Sequence, residues 1–272
     1  MAEPNVQPYS LPHTEVRSLT AQSSGVEYQI YVNFPRDRAA RDKPLPALIV
    51  LDADYSFAIA SNVLEHFTDR GNIAPMILVG IAYPGQSQDM RNYRMQRSRD
   101  YTPIPHPSDG YGAEFMKESG GGPKFLRFIE EELIPFLATN YSIDTNDVGI
   151  SGHSFGGLIT SWALMNNTKA FRRYIIVSPS LWYADRFMFE AEKSLASSRE
   201  PIVAEVFMGV GEYENQPHNG RAMVDDLEAF GEQLDSYGYP ELNITTHVFP
   251  GETHNSVYPS AITRGLLRVY GR

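Results

Sequence analysis

Two spacings of apolar residues alternate along this chain. In VEYQIYVNF, Val26, Tyr28, Ile30, Val32 and Phe34 share one face with mostly polar residues between them, the period of two that marks a half-buried antiparallel strand. Its half-wet pattern predicts a place near a sheet edge. Short unbroken apolar runs follow, ALIVLD, MILVGIAY, YIIVS, IVAEVFMGV and, less sharply, ITTHVF. Such runs suit strands covered on both faces, and so parallel and central. Between them FAIASNVLEHFTDRG, PKFLRFIEEELIPFLATNY, GGLITSWALMNN, RAMVDDLEAFGEQLDSYG and AITRGLLRVYG carry helical spacing, several closing on a glycine, a frequent helix C-cap. Strand and helix alternate without a linker or repeat, which predicts one three-layer α/β domain over residues 1–272 with a mainly parallel central sheet.

One stretch breaks the rhythm. Residues 84–122 have no clear period and are rich in Pro, Gly, Arg and Tyr. A loop this long inside a compact domain is usually functional or disordered, and its aromatic residues, Tyr93, Tyr101, Tyr111 and Phe115, favour an ordered cover over the domain.

Composition narrows the function classes. A 272-residue chain with 42% hydrophobic residues can bury a sizeable core. A net charge of -10 argues against a nucleic-acid partner, since phosphate binding needs a positive face. The absence of cysteine removes disulfides, zinc–thiolate sites and a cysteine nucleophile, and leaves the compartment open. No apolar run approaches the roughly 18–20 residues of a membrane span. The opening MAEPNVQPYS lacks the regions of a signal peptide, although AEPN fits a mature start. The expectation is a soluble protein, cytoplasmic or periplasmic, with its oligomeric state undetermined.

The chemistry lies in DVGISGHSFGGLIT, where Gly152-His153-Ser154-Phe155-Gly156 fits G-x-S-x-G between a short strand and a helix. That context is what a nucleophile elbow requires: the serine occupies a strained turn, and flanking residues without a Cβ relieve clashes with strand and helix. Ser154 is the candidate nucleophile. Its base should follow later in the chain, in the order serine, acid, histidine. Two histidines lie beyond residue 220; His247 sits within ITTHVF and reads as structural, whereas His254 follows that run in a polar loop and is the candidate base. His153 should point away from the nucleophile. For the acid, Glu212 is the first carboxylate after IVAEVFMGV and leads on position, with Glu214 as the alternative. Oxyanion donors are expected from the Phe155 N–H and, in VLDADYSF, the Asp54 N–H, with Tyr55 as the alternative. Asp52 and Asp54 lack the further ligands of a metal pair, and no cofactor is implied.

With these residues in place, the chain resembles the putative-esterase (esterase D-like) family of α/β-hydrolases, closest to its siderophore-esterase branch. The likeness rests on VLDADYSF, where the family commonly has L-D-G, on RSRDYTP, similar to R-x-x-D-L-T-P, and on GGPKFLRFIEEELIPFLATNY, GHSFGGL, SPSLWY and GETHNSVYP. It implies an α/β-hydrolase fold and a serine esterase acting on a small-molecule ester through an acyl-enzyme, with Ser154 and His254 in the family's positions and Glu212 where relatives place an aspartate. Ala53 departs from the glycine of L-D-G. Some relatives work without a conventional acid, so a serine–histidine dyad stays open.

For the substrate, Arg91, Arg94, Arg97 and Arg99 crowd the cover beside Tyr93 and Tyr101, a set suited to a large anionic, ring-bearing ester such as a ferric catecholate siderophore. Arg94, Arg99, Tyr55 and Trp182 are the candidate substrate contacts. The plain alternative is a solvated basic face, or an Arg99–Asp100 ion pair that anchors the cover. The competing functions are an acyltransferase of the same fold, a general short-chain or feruloyl-type carboxylesterase, and a non-catalytic binding module.

Overall fold

The computed structural model describes residues 9–37, 39–85, 89–107, 110–166, 169–198, 201–217 and 220–272. Eight strands form one sheet: β1 (Thr14–Thr20), β2 (Glu27–Asn33), β3 (Leu45–Val50), β4 (Ile77–Ala82), β5 (Ile143–His153), β6 (Arg173–Val177), β7 (Val203–Gly211) and β8 (Glu241–Phe249), in the order β1-β2-β4-β3-β5-β6-β7-β8. From β3 to β8 all neighbours are parallel, while β1 and β2 are antiparallel additions at one side. The alternating VEYQIYVNF strand is thus antiparallel and one place from the edge, with Tyr28, Ile30 and Val32 buried. Two strands differ from expectation. β1 was not foreseen, because an edge strand wet on much of both faces has no apolar alternation to display. β8 is parallel but closes the other edge instead of lying centrally, which accounts for its mixed sequence and mostly partial burial.

The helices are α1 (Ala53–Asp69), α2 (Met90–Asp100), α3 (Ala113–Met116), α4 (Gly122–Phe128), α5 (Ile134–Tyr141), α6 (Phe155–Met165), α7 (Tyr183–Ser198), α8 (Met223–Ser236) and α9 (Val257–Tyr270), with a π turn at Ile129–Leu133 joining α4 to α5. Period two divides each central strand between the layers. Leu48 and Val50 of β3 pack with Phe57 and Leu64 of α1 and Leu266 of α9, whereas Ala47 and Ile49 face the layer that holds α4, α6 and α8. Each such buried Leu or Phe contributes about 1.5–3 kcal/mol. The result is the expected three-layer α/β-hydrolase arrangement.

Within residues 84–122 the periodicity missed α2 and α3. α2 is a polar helix whose buried residues are Arg97, Ser98 and Asp100, so ion pairs and not an apolar stripe dock it. Asp100 Oδ2 accepts from Tyr28 Oη at 2.9 Å and Tyr83 Oη at 3.0 Å, and Arg99 closes on the same carboxylate at 2.7 and 2.8 Å. Within the cover, residues 86–88 and 108–109 lie outside the described residues, as do residues 1–8 of the opening segment.

The strand order reverses at β3: the chain steps outward to β4, then crosses back to β5 on the other side. The carboxyl ends of β3 and β5 therefore flank a crevice at a topological switch point, where open α/β sheets bind ligands. Asp52 leaves one end and Ser154 the other.

Candidate active site

Ser154 stands between β5 and α6 at φ 61°, ψ −118°, a conformation non-glycine residues rarely accept. The neighbouring glycines explain how it is tolerated. A Cβ on Gly152 would lie 2.2 Å from the Gly156 carbonyl oxygen, and one on Gly157 would lie 2.7 Å from that of Val177. Strand and helix therefore cross in near contact beneath the serine, and Ser154 N–H is held by the Val177 carbonyl at 3.0 Å. With Ser154 at the N-cap, the Phe155 N–H lies in the first turn of α6 without a helical acceptor.

On the opposite lip, Asp52 adopts left-handed φ 54°, ψ 48° and starts α1. Its carbonyl accepts from Tyr55 N–H at 3.0 Å and Ser56 N–H at 2.9 Å. Tyr55 is thereby committed as a donor, and the first-turn N–H groups of Ala53 and Asp54 remain. The Asp54 carboxylate is turned to Tyr31 Oη at 2.6 Å.

The carboxylate beside His254 is Glu214, the alternative of the two glutamates. His254, in the loop between β8 and α9, has its Nδ1 2.6 Å from Glu214 Oε2. Glu214 is fully buried, and its other oxygen accepts from Gly211 N–H at 2.7 Å and Ser178 Oγ at 2.6 Å. Such donors fix the direction of the carboxylate. Glu212 instead points outward and accepts from Gly251 N–H at 2.8 Å. The reason is the single 3-10 turn Glu212–Glu214 at the end of β7: two residues of tight turn rotate the second carboxylate inward and leave the first outside.

His153 is not among the residues that line the Ser154 cavity. Its ring lies 4.5 Å, centroid to centroid, from that of His254, because the loop after β8 brings His254 both to the cavity lined by Ser154 and onto the His153 face. Burial, the nearby His254 and then Arg97 push the His153 imidazole well below its usual value, so it forms a neutral wall behind the His254 ring. His247 packs on Phe249 within β8 at 4.5 Å, as a structural residue does.

Ser154 and His254 line one cavity of about 250 Å³ with Tyr111, Phe155, Trp182 and Arg221. Of the candidate substrate contacts, Trp182 lines this cavity. The other three candidate contacts are elsewhere: Tyr55 lies beside Tyr258 and His153, Arg94 sits over the Tyr111 and Phe115 rings, and Arg99 pairs with Asp100. Arg91 pairs with Glu114, and Arg97 with Asp52. The cation at the cavity is Arg221, whose guanidinium lies 4.0 Å over the Trp182 ring. Nothing in its polar stretch signalled that position; Ser180, also on the wall, stood in the SPSLWY segment already singled out. Among the described residues no carboxylate lines this cavity, and no His/Asp/Glu group is arranged to hold a metal ion. No described helix is long and apolar enough to cross a membrane.

Comparison with known proteins agrees with this geometry. The family described as "Putative esterase" matches residues 21–268. Ferri-bacillibactin esterase BesA of Bacillus subtilis (strain 168) is 28% identical over 271 residues, covering 95% of this chain and 90% of its own. The siderophore triacetylfusarinine C esterase of Aspergillus fumigatus is 26% identical over 291 residues, covering 95% and 94%. The crystal structure of the BES protein from Bacillus cereus superposes with a TM-score of 0.83 at 28% identity, over 99% of this chain and 100% of that one. A strained serine at the switch point, a carboxylate-bound histidine on the same cavity and a family match over nearly the whole chain converge: this chain belongs to the putative-esterase family and is a carboxylic ester hydrolase of the α/β-hydrolase fold.

Proposed function

We propose that Ser154 is the nucleophile, His254 the general base and Glu214 the acid of this esterase, and that its substrate is an anionic, ring-bearing ester of the siderophore class. The observation that carries the catalytic half is the 2.6 Å contact of buried Glu214 with His254 Nδ1, on a histidine that shares its cavity with Ser154. A carboxylate at Nδ1 keeps the proton there and leaves Nε2 to accept the one on Ser154 Oγ. The oxygen attacks the ester carbonyl, and the developing oxyanion meets the N–H groups of Phe155 and Asp54, each in the first turn of a helix whose dipole adds positive potential. Collapse expels the alcohol, which takes its proton from His254, and leaves an acyl group on Ser154. Water, deprotonated by His254, then releases the acid and restores the hydroxyl. Glu214 stabilises the imidazolium in both halves.

The substrate half is supported by the relatives' names and by the wall of Tyr111, Trp182 and Arg221. A guanidinium lying on an indole offers charge and a flat face together, which suits an anionic ring.

Pre-steady-state hydrolysis of a p-nitrophenyl ester tests the catalytic half. A burst stoichiometric with enzyme is expected, and Ser154→Ala should lose on the order of 10⁶ in kcat without a change in melting temperature. Retained activity in that variant sinks the assignment. A ferric catecholate trilactone should give the higher kcat/KM; preference for a neutral short-chain ester would make this a general carboxylesterase.

A further inference from the structure

We infer that Arg97 is a positioning residue that fixes the separation between the two halves of the oxyanion site, so that α2 of the cover serves catalysis without touching substrate. The inference rests on the reading of Ser154 as nucleophile with the N–H groups of Phe155 and Asp54 as donors.

The two donors come from different loops, one after β3 and one after β5, and Arg97 grips both. Its Nε donates to Asp52 Oδ1 at 2.8 Å, its Nη2 to Asp52 Oδ2 at 2.9 Å and to the His153 carbonyl at 3.2 Å, and its Nη1 to Tyr111 Oη. Asp52 immediately precedes α1, and His153 immediately precedes Ser154. Both loops hold their working shape in the left-handed region, Asp52 at φ 54° and Ser154 at φ 61°. Such turns persist only where their surroundings determine them.

Among the described residues, the side chains that hold Asp52 come from α2 and the residue after it. Tyr93 Oη donates to Asp52 Oδ1 at 3.0 Å, and the Asp52 N–H donates to Tyr101 Oη at 3.2 Å. Arg97 is 5% exposed. Burial works against its charge, but the Asp52 carboxylate together with Tyr93 and Tyr101 outweighs burial and raises its pKa further, so the Arg97 guanidinium stays charged in the working range. Arginine is needed here because only a planar fork bonds a carboxylate through two nitrogens while its remaining N–H groups reach a carbonyl and a phenol. Oxyanion donors act only when they lie about 2.7–3.1 Å from the developing charge. Loosening either lip therefore weakens the transition state more than the bound ester.

The experiment measures kcat and KM for one p-nitrophenyl ester, and the Kd of benzeneboronic acid, whose tetrahedral adduct on Ser154 mimics the oxyanion, in Arg97→Lys, Arg97→Met and Asp52→Asn. The expected result is a roughly 10–100-fold fall in kcat, a parallel rise in boronate Kd, KM nearly unchanged, and a pH profile that keeps its wild-type midpoints. Arg97→Lys keeps the charge and loses the fork, so it should fall nearly as far as Arg97→Met. If Arg97→Met does not fold, Arg97→Lys and Asp52→Asn carry the same expectation. Wild-type kcat in the folded variants overturns the inference. So does a fall in kcat with boronate affinity intact, which would leave Arg97 as an anchor of the cover alone. Failure of the underlying reading is seen separately: wild-type enzyme would not bind the boronate, or Ser154→Ala would stay active.

Discussion

The sheet carries a cleft at each end of its parallel strands, and the larger one is at the wrong end for chemistry. At the amino ends, Asn146, Asp147, Arg172, Arg173, Glu205 and Arg268 help to enclose about 590 Å³, against about 250 Å³ at the carboxyl ends. Their charges are doing different things. In the larger cleft Arg173 is bound to Asp147 at 3.0 Å and lies 4.6 Å over the Tyr270 ring, while Arg268 donates to Thr245 Oγ1 at 2.7 Å and lies 3.8 Å from Glu205. In the smaller one there is a serine with a strained backbone, a histidine beside a buried carboxylate, and a guanidinium lying on an indole face. Size marks space; strain and groups left available to a ligand mark function.

The largest effect that tests this contrast comes from the acid. Glu214→Gln should lower kcat by about two to four decades, since an amide cannot stabilise the imidazolium or fix the same tautomer. Glu212→Gln should leave kcat within about a factor of three, because its carboxylate accepts from the Gly251 N–H on an exposed loop, away from His254. Steady-state kinetics of the two variants decides the matter. A reversed ranking would return the role to Glu212, and two mild effects would mean that a serine–histidine dyad suffices.

These two glutamates also show where sequence stops being readable. The elbow was legible because its tightest constraint is local: Gly152, Ser154 and Gly156 lie within five residues, and the clash of a Gly152 side chain with the Gly156 carbonyl is built into that turn. The parallel strands β3, β4, β6 and β7 were legible because two covered faces demand unbroken apolar runs, and β5 through the elbow that ends it. The choice between Glu212 and Glu214 was not, since it turns on one 3-10 turn and on donors from Gly211 and Ser178. The cover's arginines misled for a related reason. Arg97 finds its carboxylate 45 positions away at Asp52, and a cluster looks free for ligand when its partners are remote in sequence. Arg221 was missed by the same logic in reverse, being a lone cation that only the fold sets against Trp182.

A smaller effect compares one substitution at both ends. Arg221→Gln should reduce kcat/KM for an anionic aromatic ester about tenfold, the order expected of a partly solvated cation–π and charge contact. For a neutral ester of the same shape it should change little, and the loss should shrink as salt is raised. Arg268→Gln, in the larger cleft, should leave both substrates unaffected. An equal loss on both esters from Arg221→Gln would make that residue part of the cavity's shape and not its charge selectivity.

The mildest prediction concerns a group that is uncompensated but lies away from either cleft. Glu192 on α7 is 1% exposed, and neither carboxylate oxygen has a hydrogen-bond partner among the described residues. Burial pushes its pKa up to about 8, with nearby Lys193 pulling the other way. From the ordinary value of 4.5 up to about 8 the folded protein holds a proton that the unfolded chain releases. Stability from this group is therefore full below pH 4.5 and declines as pH rises through that window. Glu192→Gln removes the ionisation and should flatten the decline, so the variant should melt progressively higher than wild type between pH 5 and pH 8, each kcal/mol appearing as about 2–4 °C. Esterase activity at pH 7 should not move. Melting curves at several pH values, with activity read on the same samples, test both halves. A constant difference in melting temperature would show that the carboxyl is already neutral or solvated throughout. A change in kcat without a change in melting would mean that being uncompensated, wherever it occurs, marks function in this molecule, and the contrast between the two clefts would lose its meaning.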